Sequence, residues 1–154
     1  MTNWGSADFT ELIEFKKRLE QIDEEAINQF CEDVSKELAA RFLRLVIPKT
    51  PVGIYPAGSG KVGGTLKRGW TASKSVKTFV DSLSIRIEGN NYIIEIINPI
   101  DYASYVEFGH RKENGKGWVP GRFMMTKAEL IAKKRFPKLV EKKVEEFIKR
   151  QLNG

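Results

Sequence analysis

The sequence predicts an α+β fold in which helices flank a small antiparallel sheet. Between Ile27 and Val46, apolar residues recur at steps of three and four, as on the buried face of a long helix. From Leu83 onward the apolar period falls to two, which is typical of half-buried strands. Helical spacing returns near the C-terminus. With 154 residues, 41% of them hydrophobic and 30% charged, the chain is predicted to form a single domain over residues 1–154.

Two helices are predicted before residue 50. Asp8 and Glu11 have the spacing of a capping box, and a short helix follows to about residue 21. The long N-terminal helix begins after Asp23. It is expected to end at Pro48 and Pro51, because proline lacks the amide proton that a helix interior needs.

The predicted sheet occupies the centre of the chain. Strands over residues 83–88 and 92–97 flank Gly89–Asn91, whose residues tolerate the positive φ of a hairpin turn. Residues 69–76 are predicted as a further strand, although the pattern does not assign its partner.

Two helices are predicted after the sheet. Asp101 is expected to cap a short central helix that runs to Gly109. The C-terminal helix is predicted to start near Pro120 or Gly121. Pro137 should bend or break that helix, since its ring clashes with the preceding turn.

A glycine-rich loop between the long helix and the sheet resembles a phosphate-binding loop at first sight, but it lacks the motif. A P-loop needs Gly-Lys followed by Ser or Thr, whose hydroxyl binds magnesium. Here Val62 follows Lys61, and Tyr55 occupies the position of the first glycine. The residues after the loop are also predicted as a strand, where a P-loop would have a helix.

Catalytic and metal sites are not expected. His110 is the only histidine and Cys31 the only cysteine, so these residue types provide no zinc ligand set and no internal disulfide. Cys31 lies on the apolar stripe of the long helix and is interpreted as a small buried residue. Glu88 and Glu95 are interpreted as exposed strand residues. His110 follows the short helix, and a contact with its last carbonyls is expected in place of catalysis.

The net charge of +6 leaves two interpretations open. Residues 8–37 contain ten acids and four bases, whereas residues 127–150 contain nine bases and four acids. These can be solvated helix faces, or they can be surfaces that attract each other across a repeated subunit contact. No apolar run approaches the roughly 20 residues of a membrane span, and no signal-peptide pattern precedes the first helix, so no membrane association is expected.

Aromatic and basic residues alternate in a way that fits either of two partners. They could stack on single-stranded nucleic acid or form a protein–protein contact. Composition does not separate these alternatives, and no RNA-binding motif is present. The residues concerned are Trp70, Phe79, Trp118 and Phe123, with Lys67, Arg68, Lys77 and Arg122.

Three ordered segments resemble signatures of a phage family. They are TPV at 50–52 with GTLKRGW at 64–70, then Asn98 with YA-x-YVEFGH at 102–110, then PGRFM at 120–124. Together they are similar to the gene-product-ten-like tail components of tailed phages, also called tail-completion or head–tail joining proteins. Residues 53–63 replace a very short link in the family pattern, which identifies the glycine-rich loop as an insertion. Loop insertions cost little closure entropy.

The resemblance implies a non-enzymatic structural protein of the virion neck, without cofactor, assembled in the host bacterial cytoplasm. It implies a ring of this chain, a hexamer or a multiple of one, around a channel through which DNA passes without sequence-specific binding. Tail terminator or tail-tube proteins and head–tail connector or portal-side proteins are the other implied partners. The alternative is a basic nucleic-acid-binding protein.

Two groups of residues are singled out from these observations. The expected assembly contacts are Tyr55, Lys61, Lys67, Arg68, His110, Arg111, Trp118 and Arg122. The residues expected to maintain the fold are Thr50, Pro51, Gly64, Leu66, Trp70, Tyr102, Phe108, Gly109, Pro120 and Phe123. Within the second group, Trp70 and Phe108 are each predicted to place a ring against the junction of sheet and helices.

Overall fold

A computed structural model describes residues 10–154, and it confirms the α+β class. Within these residues, six helices and four short strands follow one another. In order they are α1 Thr10–Glu20, α2 Glu24–Lys49, α3 Thr65–Gly69, α4 Val76–Asp81, β1 Arg86–Glu88, β2 Asn91–Ile93, α5 Ala103–Phe108, β3 Gly109–Arg111, β4 Trp118–Pro120 and α6 Met124–Asn153. Asp8, the first residue of the predicted capping box, lies outside the described residues.

The long helices α2 and α6 pack against each other and form the frame of the molecule. The helix α2 starts where its apolar pattern was predicted to begin, and Asp23 caps it: the Asp23 carboxylate accepts a 3.3 Å hydrogen bond from the Glu25 amide. Phe30 and Phe147 stack between the two helices with ring centroids 4.3 Å apart. The core continues from there through buried residues of α2, α3, α4 and α6: Ala39, Leu43, Val46, Leu66, Trp70, Val80, Met124 and Ala128.

The β structure consists of two separate hairpins in place of one sheet. In the first, β1 pairs with β2 around the predicted turn, with Arg86 opposite Ile93. Both strands are shorter than predicted. In the second, β3 pairs with β4, with His110 opposite Val119, and the sequence patterns did not indicate this pairing.

The strand predicted over residues 69–76 is wrong. The chain there forms the end of α3, a turn and the start of α4. Ala72 and Ser73 have positive φ, which a strand does not allow. Ser75 then caps α4, since its hydroxyl accepts a 3.1 Å hydrogen bond from the Thr78 amide.

Three helix boundaries also differ from their predictions. Tyr102, and not Asp101, occupies the cap position of α5. The helix α6 begins at Met124 because Phe123, with φ near 50°, has left-handed backbone geometry. Pro48 and Pro137 both lie inside helices. Packing of α6 along α2 offsets the backbone hydrogen bond that Pro137 removes, so the helix is not ended there.

The acidic and basic segments meet inside one chain. The Lys143 ammonium on α6 lies 2.5 Å from a carboxylate oxygen of Glu37 on α2. The hydrogen bond from Lys143 lowers the pKa of Glu37. Some of the acidic and basic residues that could have attracted each other between subunits therefore form an ion pair within one subunit.

Among the described residues, no helix is both long and apolar enough to cross a membrane.

Candidate assembly surface

The first sequence signature is held together by buried hydrogen bonds. The Trp70 indole donates to the Thr50 hydroxyl oxygen over 2.8 Å, and the Thr50 hydroxyl donates in turn to the Val46 carbonyl over 2.9 Å. Trp70 is only 2% exposed, as predicted for a core residue. This chain of bonds fixes the end of α2 against α3.

The asparagine of the second signature holds α3 from the other side. The Asn98 amide donates to the Leu66 carbonyl over 2.8 Å, and its side-chain oxygen accepts from the Ile100 amide over 3.2 Å. A methyl group at Gly69 would collide with that side-chain oxygen. Glycine at position 69 therefore permits the close approach of Asn98 to the short helix.

Glu107, which the sequence patterns did not single out, joins the second signature to the third. Its buried carboxylate accepts hydrogen bonds from the Met125 amide at 2.8 Å, the Thr126 amide at 2.9 Å and the Thr126 hydroxyl at 2.6 Å. These amides belong to the first turn of α6, where backbone donors lack partners within the helix. The positive end of the helix dipole also favours a carboxylate here. The sequence offered one signal for this role: Glu107 is a lone acidic residue in an otherwise largely apolar short helix.

Backbone hydrogen bonds complete this junction. The Arg122 amide donates to the Val106 carbonyl over 2.8 Å, and the Phe123 amide donates to the Glu107 carbonyl over 3.1 Å. Gly109 and Gly121 approach so closely that a methyl group on either would strike the other segment's backbone. The glycines of both signatures are thus explained by this contact.

The three signatures meet around an open groove of about 330 Å³, which we name the loop groove. It lies between the glycine-rich loop, α3, α5 and the β3–β4 hairpin. Three predicted assembly residues contribute to its lining: Tyr55, His110 and Arg122. Leu66, Tyr102 and Pro120, expected to maintain the fold, also line it. The groove presents tyrosine hydroxyls, an imidazole and a guanidinium group.

Residues 13–109 match the protein family described as "Bacteriophage HK97-gp10, putative tail-component". The chain belongs to this HK97-gp10-like family. Searches of curated proteins and of solved structures give no significant match. The family assignment confirms the resemblance seen in the sequence and gives the chain a structural role in the phage tail. The match ends at Gly109, yet the third signature is joined to it through Glu107.

The glycine-rich loop of this HK97-gp10-like protein, residues 53–63, projects into solvent; we call it the inserted loop, after its interpretation from the sequence. Ile54 is 96% exposed and Val62 is 74% exposed. The Lys61 ammonium lies 5.8 Å from the centroid of the Tyr55 ring, within the range of a cation–π interaction. The loop's two ends meet, because the Gly53 carbonyl oxygen lies beside the Cα of Gly63.

A helix, α3, follows the glycine-rich loop, where a strand was predicted. The element after the loop therefore does not distinguish it from a phosphate-binding loop. The helix is five residues long and starts at Thr65. The departures from the P-loop motif at Tyr55 and Val62 are unaffected, because they concern the sequence itself.

His110 does not contact the helix end as expected. It lies in β3, and the C-terminal cap of α5 is made by the Gly109 amide, which donates to the Tyr105 carbonyl. The imidazole instead lies against Tyr105, with ring centroids 5.8 Å apart. Within residues 10–154, its buried Nδ1 has no hydrogen-bond partner. Cys31, predicted to be buried, is half-buried.

The other predicted contact residues divide between two places. Arg111 and Trp118 face each other across the β3–β4 hairpin, and both are exposed. Arg68 folds back on its own loop, donating to the Gly63 carbonyl over 3.1 Å. Lys67 lies within α3 and is half-buried.

Phe108 contradicts its predicted core position, since it is 63% exposed. In the short helix α5, the adjacent Glu107 points to α6, so that the next side chain turns outward.

Glu88 and Glu95 are exposed as predicted, and each forms an ion pair with Arg86, at 2.8 and 3.2 Å. The described part of the chain contains no group of three or more His, Cys, Asp or Glu side chains placed to hold a metal ion.

Proposed function

We propose that this tail-component protein is a non-enzymatic subunit of the virion neck. In this role it forms a ring of identical copies and joins the tail tube to the head connector. The family assignment supports a tail role, and the exposed apolar surface supports repeated protein contacts. The ring would be a hexamer or a multiple of one, with DNA passing through it without sequence-specific binding.

The exposed apolar residues are the observation that carries this proposal. Several of them lie on three neighbouring features: the inserted loop, the helix α5 and the β3–β4 hairpin. Ile54, Phe108 and Trp118 each expose more than half of their surface, one on each feature. Single exposed apolar residues are common, but several of them on neighbouring features favour contacts with other proteins.

A structural role also accounts for the residues that the sequence might have assigned to chemistry. Glu107 is engaged by the α6 amides, and Glu88 and Glu95 are engaged by Arg86. These carboxylates therefore serve intramolecular contacts. We infer that the chain has no catalytic centre and needs no cofactor.

Electron microscopy and native mass spectrometry of the full chain test the proposal. We expect closed rings, either in solution or in purified particles, and loss of head–tail joining when the gene is deleted from the phage. Headless tails and tailless heads should then accumulate. Particles that join normally without the protein would overturn the neck assignment.

Enzyme assays of the pure protein test the non-enzymatic assignment. Nuclease activity or nucleotide hydrolysis that is abolished by His110→Ala or Lys61→Ala would overturn it.

A further inference from the structure

We propose that the ring contact forms when the inserted loop of one copy, residues 53–63, enters an apolar groove on the next copy. This inference rests on the proposed ring and names its two contact surfaces. The apolar groove is formed by α5, the start of α6 and the segment that follows β2. Trp70, Ile97, Phe108 and Met125 supply apolar side chains to it.

The apolar groove is open to a partner and suited to an aliphatic side chain. Its volume is about 470 Å³. Ile97 and Phe108 are both more than half exposed at its margin, and Met125 is also exposed. Covering these side chains would remove apolar surface from water, which favours association. A methionine at the margin also adapts readily to the shape of a ligand side chain.

The inserted loop has the complementary property. Ile54 and Val62 are more exposed than any other large apolar side chain that the structure describes. Neither is a core residue, and the ring contact within the loop joins Tyr55 to Lys61 and not to these aliphatic side chains. The loop thus presents two aliphatic side chains that the subunit itself does not cover.

The two surfaces lie on different sides of the helix α5. Tyr102, Tyr105 and Val106 line the loop groove, on the side of the inserted loop. Ala103, Ser104, Glu107 and Phe108 line the apolar groove. A loop on one side and a receiving groove on the other allow each copy to contact two neighbours through different surfaces. Repetition of such a head-to-tail contact can close a ring.

Charge favours a second copy as the occupant. The lining of the apolar groove contains Glu107 and Glu129 but no lysine or arginine. The loop contains Lys61 and no acidic residue. Glu107 is engaged within the subunit, whereas Glu129 is exposed and pairs only along its own helix, with Lys133 at 2.7 Å. Glu129 is therefore available to exchange its helical partner for the Lys61 of a neighbour.

Disulfide cross-linking in a Cys31→Ser background tests the contact directly. The full chain carrying both Ile54→Cys and Ile97→Cys should give a ladder of covalent multimers on mild oxidation, ending at the ring size. Ile54→Cys with Ile87→Cys is the matched control, because Ile87 is similarly exposed and lines neither groove. Rings without a ladder from the first pair, or equal ladders from both pairs, would overturn the proposed contact.

Charge reversal gives an independent measurement. Lys61→Glu and Glu129→Lys should each raise the concentration needed for half-maximal ring formation at least about tenfold, and the double variant should restore most of the loss. Lys74→Glu is the control for the general change in charge. Unaltered assembly of both single variants overturns the contact and leaves the ring proposal intact. A parent chain that forms no ring in solution or in particles overturns both.

Discussion

The Trp70 indole N–H donates a 2.8 Å hydrogen bond to the hydroxyl oxygen of Thr50, which lies 20 residues earlier in the chain. Both side chains are buried, and the bond spans the entire inserted loop. The end of α2 and the end of α3 are therefore fixed to each other whatever conformation the loop adopts. This arrangement allows a loop of this length between the two halves of the first signature.

Thr50→Val should destabilise the subunit, because it leaves the buried Trp70 N–H without an acceptor. The expected loss is about 1–3 kcal/mol of unfolding free energy, measured by chemical denaturation. Thr65→Val is the control, since Thr65 is exposed.

Trp70→Ala should lower the free energy of unfolding by about 3–5 kcal/mol and give an insoluble or loosely packed subunit. A Trp70→Ala protein that melts like the parent would contradict the assigned core position.

Glu107→Gln should weaken the start of α6. The substitution keeps the size of the side chain but removes its charge and turns one acceptor into a donor facing backbone amides. A loss of about 1–3 kcal/mol is expected in chemical denaturation, with faster amide exchange at Met125 and Thr126. Glu145→Gln, on the exposed face of the same helix, should change stability little. Equal stability of the two variants would argue against the capping role.

The Lys143–Glu37 pair should make a small contribution to stability that disappears in acid. Because the hydrogen bond from Lys143 lowers the folded-state pKa of Glu37 below its ordinary value of 4.5, the contribution is present above that value. It is lost as the pH falls through the folded-state pKa. Lys143→Gln should thus cost about 0.2–1 kcal/mol near neutral pH and nothing in strong acid.

Lys142→Gln is the control for this pH dependence. Lys142 pairs with Glu146 at 4.0 Å, and both side chains are largely exposed. Denaturation curves measured across the acidic range should therefore separate the two variants only above the folded-state pKa of Glu37. A Lys143→Gln deficit that persists unchanged in acid would show that the lysine stabilises the fold by packing alone.

Deletion of residues 54–62 should spare the fold and weaken assembly. The Gly53 carbonyl oxygen already lies beside Gly63, so the remaining residues can form the short link. Thermal melting should stay within a few degrees of the parent, while ring formation falls. High salt should also weaken the parent's rings, because it screens exposed charges. A folded deletion variant that assembles like the parent, in low and high salt alike, would show that the loop is passive.

His110→Ala should leave the subunit folded and have at most a modest effect on assembly. Within the described residues the imidazole Nδ1 has no hydrogen-bond partner, so its removal breaks no bond there. Some packing against Tyr105 is lost. Tyr105→Ala is the comparison that separates packing from any effect of the imidazole. Particle assembly that collapses in His110→Ala alone would identify the imidazole itself as an assembly contact.

The sequence by itself determined the elements that depend on local periodicity and on turn residues. The spacing of apolar residues predicted α2, Asp23 marked its start, and Gly89–Asn91 marked the turn of the first hairpin. The ordered signatures also indicated the family, because their residue types and spacing are properties of the sequence alone. These features are encoded over a few neighbouring residues, so a single sequence is enough to predict them.

Only the tertiary structure decided how the signatures act. Residues 69–76 have strand-like composition, but the bonds from Asn98 and Trp70 hold α3 in place, and Ala72 and Ser73 turn the chain into α4. Likewise, Glu107 caps α6 from 18 residues away, and Phe108 is left exposed beside it. Such choices depend on partners distant in the chain, whose hydrogen bonds and packing outweigh local preference.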